Sequence, residues 1–268
     1  MRKIKYIFEA ITIYFFFLII KIIGLNLSRK VFAKIFIGIG PLFKSKDIVN
    51  DNLDKIFDNK IDINNNKIQK EMWENYGKVF VEYIFLDKFK KDSSHINVVG
   101  KEQIENIIQN KESTIFISGH FANFELMSME LTKMGVKLAT IYRPLNNFFL
   151  NPFMEYLRKK YICKKQIKKG LPGIRQAVEL VNKSYSIALM VDQRVSEGRL
   201  LPFFNKDALT TTLPAQLALK YKCSITPISI NRVGDKFNME IHKQIVTKNM
   251  DNSEENKVKI SLKINEII

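Results

Sequence analysis

Short uninterrupted apolar runs alternate with longer stretches of helical apolar spacing through most of the chain, which is the order of an α/β protein. Strands are predicted over 114–118, 137–142, 186–191, 225–231 and 236–243, and helices over 123–134, 149–161, 172–183 and 212–222. Met72 to Phe85 also has helical apolar spacing, with Trp73, Tyr76, Val79, Phe80 and Tyr83 on a core or interface face.

The amino terminus follows a different pattern. Arg2, Lys3 and Lys5 precede an apolar stretch that carries no charge from Ala10 to Ile20, and Tyr6 to Leu27 is long enough to span a bilayer if Glu9 and Lys21 snorkel. Ser28 to Gly40 mixes Val31, Phe32, Ile35, Phe36 and Ile37 with Arg29, Lys30 and Lys34, as an interfacial amphipathic helix does. A buried helical hairpin is the competing reading. No convincing cleavage site lies between Lys21 and Lys34, so the segment is expected to be retained. Its basic flank is expected on the cytoplasmic side. These features predict an N-terminal membrane-associated helix and divide the chain into a hydrophobic anchor with its amphipathic segment, 1–45, and a globular domain, 46–268. The polar stretch from Asp47 to Lys70 makes the passage between them.

Composition narrows the classes. A chain of 268 residues with 46% hydrophobic content can bury one substantial core. Cys163 and Cys223 are far apart, which suggests neither a disulfide framework nor a zinc site, and His95 and His242 have no companion at ligand spacing. No metal and no cofactor is expected.

The candidate chemistry centres on Ser118-Gly119-His120-Phe121-Ala122-Asn123-Phe124-Glu125, where the strand 114–118 gives way to a helix that Asn123 is placed to cap. A neutral imidazole at His120 can take a proton from a hydroxyl while the Glu125 carboxylate holds its tautomer and stabilises the imidazolium. Taken alone, the spacing fits a helix-capping or loop-bonding histidine at least as well. Asp192 emerges from the uncharged run Ile187–Val191, where α/β proteins commonly place sites, and Arg143 after the preceding strand is a candidate partner for it.

His120 and Glu125, followed by Tyr142-Arg143-Pro144, Asn151-Pro152, Arg158, Asp192-Gln193 and Leu201-Pro202-Phe203-Phe204, resemble in order and spacing the lauroyl/myristoyl branch of the lipid A late acyltransferases, within the lysophospholipid acyltransferase-like superfamily. The resemblance covers about residues 1 to 245. It implies a mixed central sheet flanked by helices and a membrane-associated O-acyltransferase at the cytoplasmic face of the inner membrane. The reaction implied moves a fatty acyl chain from acyl carrier protein to a hydroxyacyl group of a Kdo-bearing lipid A precursor, with His120 and Glu125 catalytic and Arg143, Arg158 and Asp192 binding substrate. This chain has Arg194 where relatives commonly carry a second Asp, and Ala122-Asn123-Phe124 where they often have Gly-Asn-Trp. Relatives are also expected to carry a basic, Trp-containing carboxy-terminal segment, in place of which the sequence runs through a Lys/Asn/Glu-rich stretch to Ile268.

The net charge of +16 requires acidic partners. Arg158, Lys159, Lys160, Lys164, Lys165, Lys168 and Lys169 are grouped to meet an anionic glycolipid acceptor, the membrane surface or an acidic acyl carrier protein. A solvated basic face accounts for them too, and a noncatalytic membrane scaffold is another class. A nucleic-acid partner is not expected, since no nucleic-acid motif is present and the hydrophobic amino terminus fits that class poorly. An acyltransferase of another glycolipid or a lysophospholipid is the nearest alternative.

Overall fold

The charge-flanked apolar stretch at the amino terminus is one helix, α1 (Arg2–Ile23), followed at Gly24 by α2 (Leu25–Ile39). The computed structural model describes residues 2–42, 44, 46–57, 65–204 and 206–268. Within the polar stretch 47–70, residues 47–57 belong to α3 (Lys46–Phe57) and residues 65–70 to α4 (Asn65–Glu82), while 58–64 lie outside the described residues. α1 is long and apolar enough to cross a membrane by length and composition, and its Phe8, Phe15, Leu18 and Ile22 are all exposed.

Two units divide the chain, Met1–Lys88 with Phe204–Lys206 and Phe89–Phe203 with Asp207–Ile268. The first division falls later than the 45/46 boundary drawn from sequence, because α4 packs closely on α2. A Cβ at Gly77 of α4 would lie 2.4 Å from the Phe32 carbonyl oxygen, so only glycine permits this approach. Arg29 of α2 also donates from Nε to Glu82 Oε1 of α4 at 2.9 Å, with both side chains buried. Such a pair holds two helices in register, since either charge left alone in that interior would be costly.

The connecting helix α5 (Leu86–Lys91) leads into the larger unit. There the order is β1 (Ile96–Val99), α6 (Lys101–Gln109), β2 (Thr114–Ser118), α7 (Glu125–Lys133), β3 (Leu138–Tyr142), α8 (Asn151–Leu157) and β4 (Lys165–Lys168). It continues with α9 (Leu171–Asn182), β5 (Ser186–Met190), a hairpin of β6 (Arg199–Phe203) and β7 (Lys206–Thr210), α10 (Leu213–Tyr221), β8 (Ser224–Val233), β9 (Lys236–Ile241) and α11 (Glu254–Ile267). Seven strands form one mixed sheet in the order β1-β9-β8-β2-β5-β3-β4, with every neighbouring pair parallel except β8 and β9.

The strand β2 is buried at every residue, the pattern of a strand covered on both faces. Ile115 and Ile117 point into a core that also takes Ile187 and Leu189 of β5, Ala177 and Leu180 of α9, Leu217 of α10 and Ile260 of α11. Each of the Ile and Leu side chains contributes about 1.5–3 kcal/mol by leaving water. The register sets Ser118 beside Met190, so the chain leaves β2 and β5 at neighbouring points of one sheet edge. That edge carries the candidate site.

The predicted helix 149–161 is α8 continued by a π-helical turn over Arg158–Ile162. Asn123 does not cap α7: the residue at that position is Phe124, with no side-chain cap, and Asn123 is buried.

Candidate active site

Between β2 and α7 the chain makes a tight turn. A Cβ at Gly119 would meet the Phe121 ring at 2.7 Å, and Ala122 takes φ 42°, the left-handed region that costs a non-glycine residue about 1–2 kcal/mol. Strain of this kind persists where the surroundings fix it, and it is common beside functional groups. The turn sets the His120 ring edge-on against Phe124, with centroids 4.7 Å apart.

His120 is held by Asp192, which follows β5. Its Nδ1 lies 2.8 Å from Asp192 Oδ1, and its backbone N–H donates to Oδ2 at 2.9 Å. Burial pushes the Asp192 carboxyl up, but the hydrogen bonds and charge of His120 outweigh it and bring it below its ordinary value. The carboxylate therefore remains an acceptor, and Nδ1–H is the donor that suits it. That tautomer leaves Nε2 with a lone pair, with the Gln193 amide nitrogen 3.4 Å away.

The expectation that Glu125 holds His120 differs from this arrangement, and so does the pairing of Arg143 with Asp192. Glu125 opens α7 and takes Arg158 instead, whose Nε donates at 2.7 Å and Nη2 at 2.6 Å to the same Oε1. Both side chains are about nine-tenths buried. Arg143 is exposed. His120, Glu125, Arg143 and Arg158 nonetheless line one cavity of about 380 Å³. A smaller cavity of about 210 Å³ shares Ile141, Lys169, Val195, Thr211 and Leu213 with it. Thr211 thus lines both cavities, whereas Leu201–Phe203 lie in the hairpin strand β6.

Sequence reasoning missed the support behind Arg158. The Tyr142 ring lies under its guanidinium, 5.4 Å from centroid to Cζ, and the Tyr142 hydroxyl donates to Glu155. Glu155 Oε1 also accepts from Asn151 at 2.9 Å and pairs with Lys168 at 3.1 Å. Tyr142, Asn151 and Arg158 were among the residues that carry the resemblance, but no sequence signal joined them to Glu155. Burial raises the Tyr142 hydroxyl well above its ordinary value, with the Glu155 charge adding to it. Burial also pushes the Glu155 carboxyl up, but the hydrogen bonds from Tyr142, Lys168 and Asn151 prevail and hold it at about 2.

A folded value below the ordinary 4.5 means that Glu155 stabilises the fold fully above about 4.5, and that this contribution is lost as pH falls towards 2. Glu155→Gln is accordingly expected to flatten the acid limb of stability over that interval. Denaturant midpoints measured across the interval check it, and an unchanged acid slope would contradict the assignment.

A family model described as bacterial lipid A biosynthesis acyltransferase matches residues 1–268, the whole chain. No curated protein matches the sequence.

Proposed function

Because the chain belongs to the bacterial lipid A biosynthesis acyltransferase family, and is therefore an acyltransferase, we propose that it transfers a fatty acyl chain from acyl carrier protein to a hydroxyacyl group of a Kdo-bearing lipid A precursor. The observation that carries the reading is the His120–Asp192 pair at the rim of a cavity that also holds Glu125 and Arg158.

In this mechanism His120 Nε2 removes the proton from the 3-hydroxyl of an acyl chain on the phosphorylated glucosamine disaccharide, and Asp192 balances the imidazolium. The alkoxide oxygen attacks the thioester carbonyl carbon, and the carbonyl electrons move onto its oxygen. Arg158, oriented by Glu125, supplies N–H donors to that oxyanion, an interaction strongest in the transition state. Collapse breaks the C–S bond, and the departing sulfur takes the proton from His120. The products are an ester and a free carrier thiol. Arg143 and Lys169, with the cations of 158–169, suit the phosphates of the acceptor. The two adjoining cavities give an acyl chain an apolar place. α1 embeds in the inner membrane and keeps the catalytic groups on the cytoplasmic side.

Donor and acceptor are tested together by mass spectrometry of products. Purified protein receives a 3-hydroxyacyl precursor, its 3-deoxy counterpart or a lysophospholipid, with acyl carrier protein or coenzyme A thioesters. One acyl mass added to the hydroxylated precursor from the carrier thioester, and none to the deoxy compound, is the expected result. Equal transfer to a lysophospholipid, or none to the precursor, would overturn the acceptor assignment.

A further inference from the structure

The loop between β3 and α8 is closed by its own hydrogen bonds yet turns apolar side chains outward. Asn147 is buried and fixes the turn: its Oδ1 accepts from the Phe149 N–H at 3.0 Å and its carbonyl from the Leu150 N–H at 3.2 Å. Asn151 Oδ1 accepts from the Leu145 N–H at 2.9 Å, which closes the other side of the loop. On this frame Leu145, Phe148 and Phe149 are 40%, 49% and 39% exposed, and Tyr156 on the next helix is 52% exposed. Cations border them. Arg143 begins the loop, and Lys160 donates to the Tyr156 hydroxyl at 2.6 Å.

An exposed aromatic and aliphatic group edged with Arg and Lys marks an interaction surface, and this combination is the one that enters the headgroup region of an anionic bilayer. We infer that the 143–160 surface of the catalytic unit is itself a membrane contact, in which Phe148 and Phe149 enter an anionic lipid surface and bring the cavity mouth to it. The inference rests on the lipid acceptor proposed above. Such an acceptor lifts its chains out of the bilayer only where the cavity opens against it, and Leu145 both lines the cavity and belongs to the exposed group. This contact belongs to the catalytic unit and orients the site, whereas α1 supplies attachment.

The full chain carrying Phe148→Cys, spin-labelled, tests it, because native Cys163 and Cys223 are buried and should label poorly. Asn110→Cys serves as the reference, since it precedes β2 and so lies at the opposite end of the sheet from His120. With phosphatidylethanolamine vesicles containing phosphatidylglycerol, the label at 148 is expected to lose contact with a water-soluble nickel chelate and gain contact with oxygen, while that at 110 does neither. Equal nickel access at both positions overturns the inference, as does protection at 148 that arises only on adding acyl carrier protein. In a second arm, Phe148→Ser with Phe149→Ser is expected to slow transfer to vesicle-borne acceptor about tenfold and leave transfer to detergent-dispersed acceptor unchanged. Equal loss in both would assign these residues to folding or the site. Immersion of the label without acyl transfer would instead defeat the acceptor reading and leave the surface standing.

Discussion

Asp192→Asn is expected to lower acyl transfer by roughly three to four orders of magnitude with the fold intact. The wild-type carboxylate accepts from both the Nδ1–H and the backbone N–H of His120. An asparagine has one acceptor oxygen. When that oxygen keeps the backbone N–H, the amide NH2 faces Nδ1 and drives the imidazole proton to Nε2, where the lone pair was needed. The loss should appear in kcat, with little change in KM for donor or acceptor, because no substrate contact is removed. His120→Ala should be equally impaired, and the double variant no worse than either single one, since the two side chains act as one unit. The Asp192 carboxyl is held below its ordinary 3.8. In wild type, therefore, the midpoint of any activity loss through protonation of Asp192 lies below that pH. Steady-state kinetics of the three variants check the set. A loss confined to KM, or additive losses, would remove Asp192 from its role.

The second large effect is on stability. Arg158→Ala leaves Glu125 buried without its guanidinium partner, and breaking one side of such a pair costs about 3–5 kcal/mol. For a unit of this size that is a fall of roughly 6–20 °C in Tm. Replacing both partners by residues of similar volume, Arg158→Met with Glu125→Met, should restore most of the stability, because no lone charge remains. It should not restore transfer. Thermal unfolding and transfer measured on the single and double variants separate the two roles. An unchanged Tm in Arg158→Ala would show that the pair holds no part of the fold, and full activity in the double variant would exclude it from the reaction.

Much of this architecture was legible in the sequence because burial writes strong patterns. Thr114–Ser118 is apolar on both faces, and the structure makes it a central strand with the predicted bounds. The helix predicted over 172–183 is α9, displaced by one residue, for the same reason: its periodic apolar face packs on the sheet. Edge and polar elements left weaker signals. β4, Lys165–Lys168, has a lysine at each end and pairs on one side only, so its sequence reads as part of a basic stretch. β1 is a short edge strand in which only Ile96 is buried, and α11 is polar along most of its length.

Within the candidate site, what each strand exit carries could be read, but the partnership could not. His120 and Asp192 are far apart in sequence, and their contact follows from the β2–β5 register, which no local pattern encodes. Glu125 lies near His120 in the chain, yet α7 begins at that residue and sets its carboxylate toward Arg158. The Tyr142–Glu155 hydrogen bond likewise depends on how β3 and α8 pack, so Tyr142 was noted only as part of the resemblance and Glu155 not at all.

The most direct test is the mass of the lipid formed when membranes bearing the wild-type chain or His120→Ala are given a tetraacylated, Kdo-bearing precursor and acyl carrier protein thioesters. The account expects one added acyl group with wild type and none above background with folded His120→Ala. Undiminished addition by His120→Ala would contradict the role of His120 as the base, and no addition by folded wild type would contradict the proposed substrates.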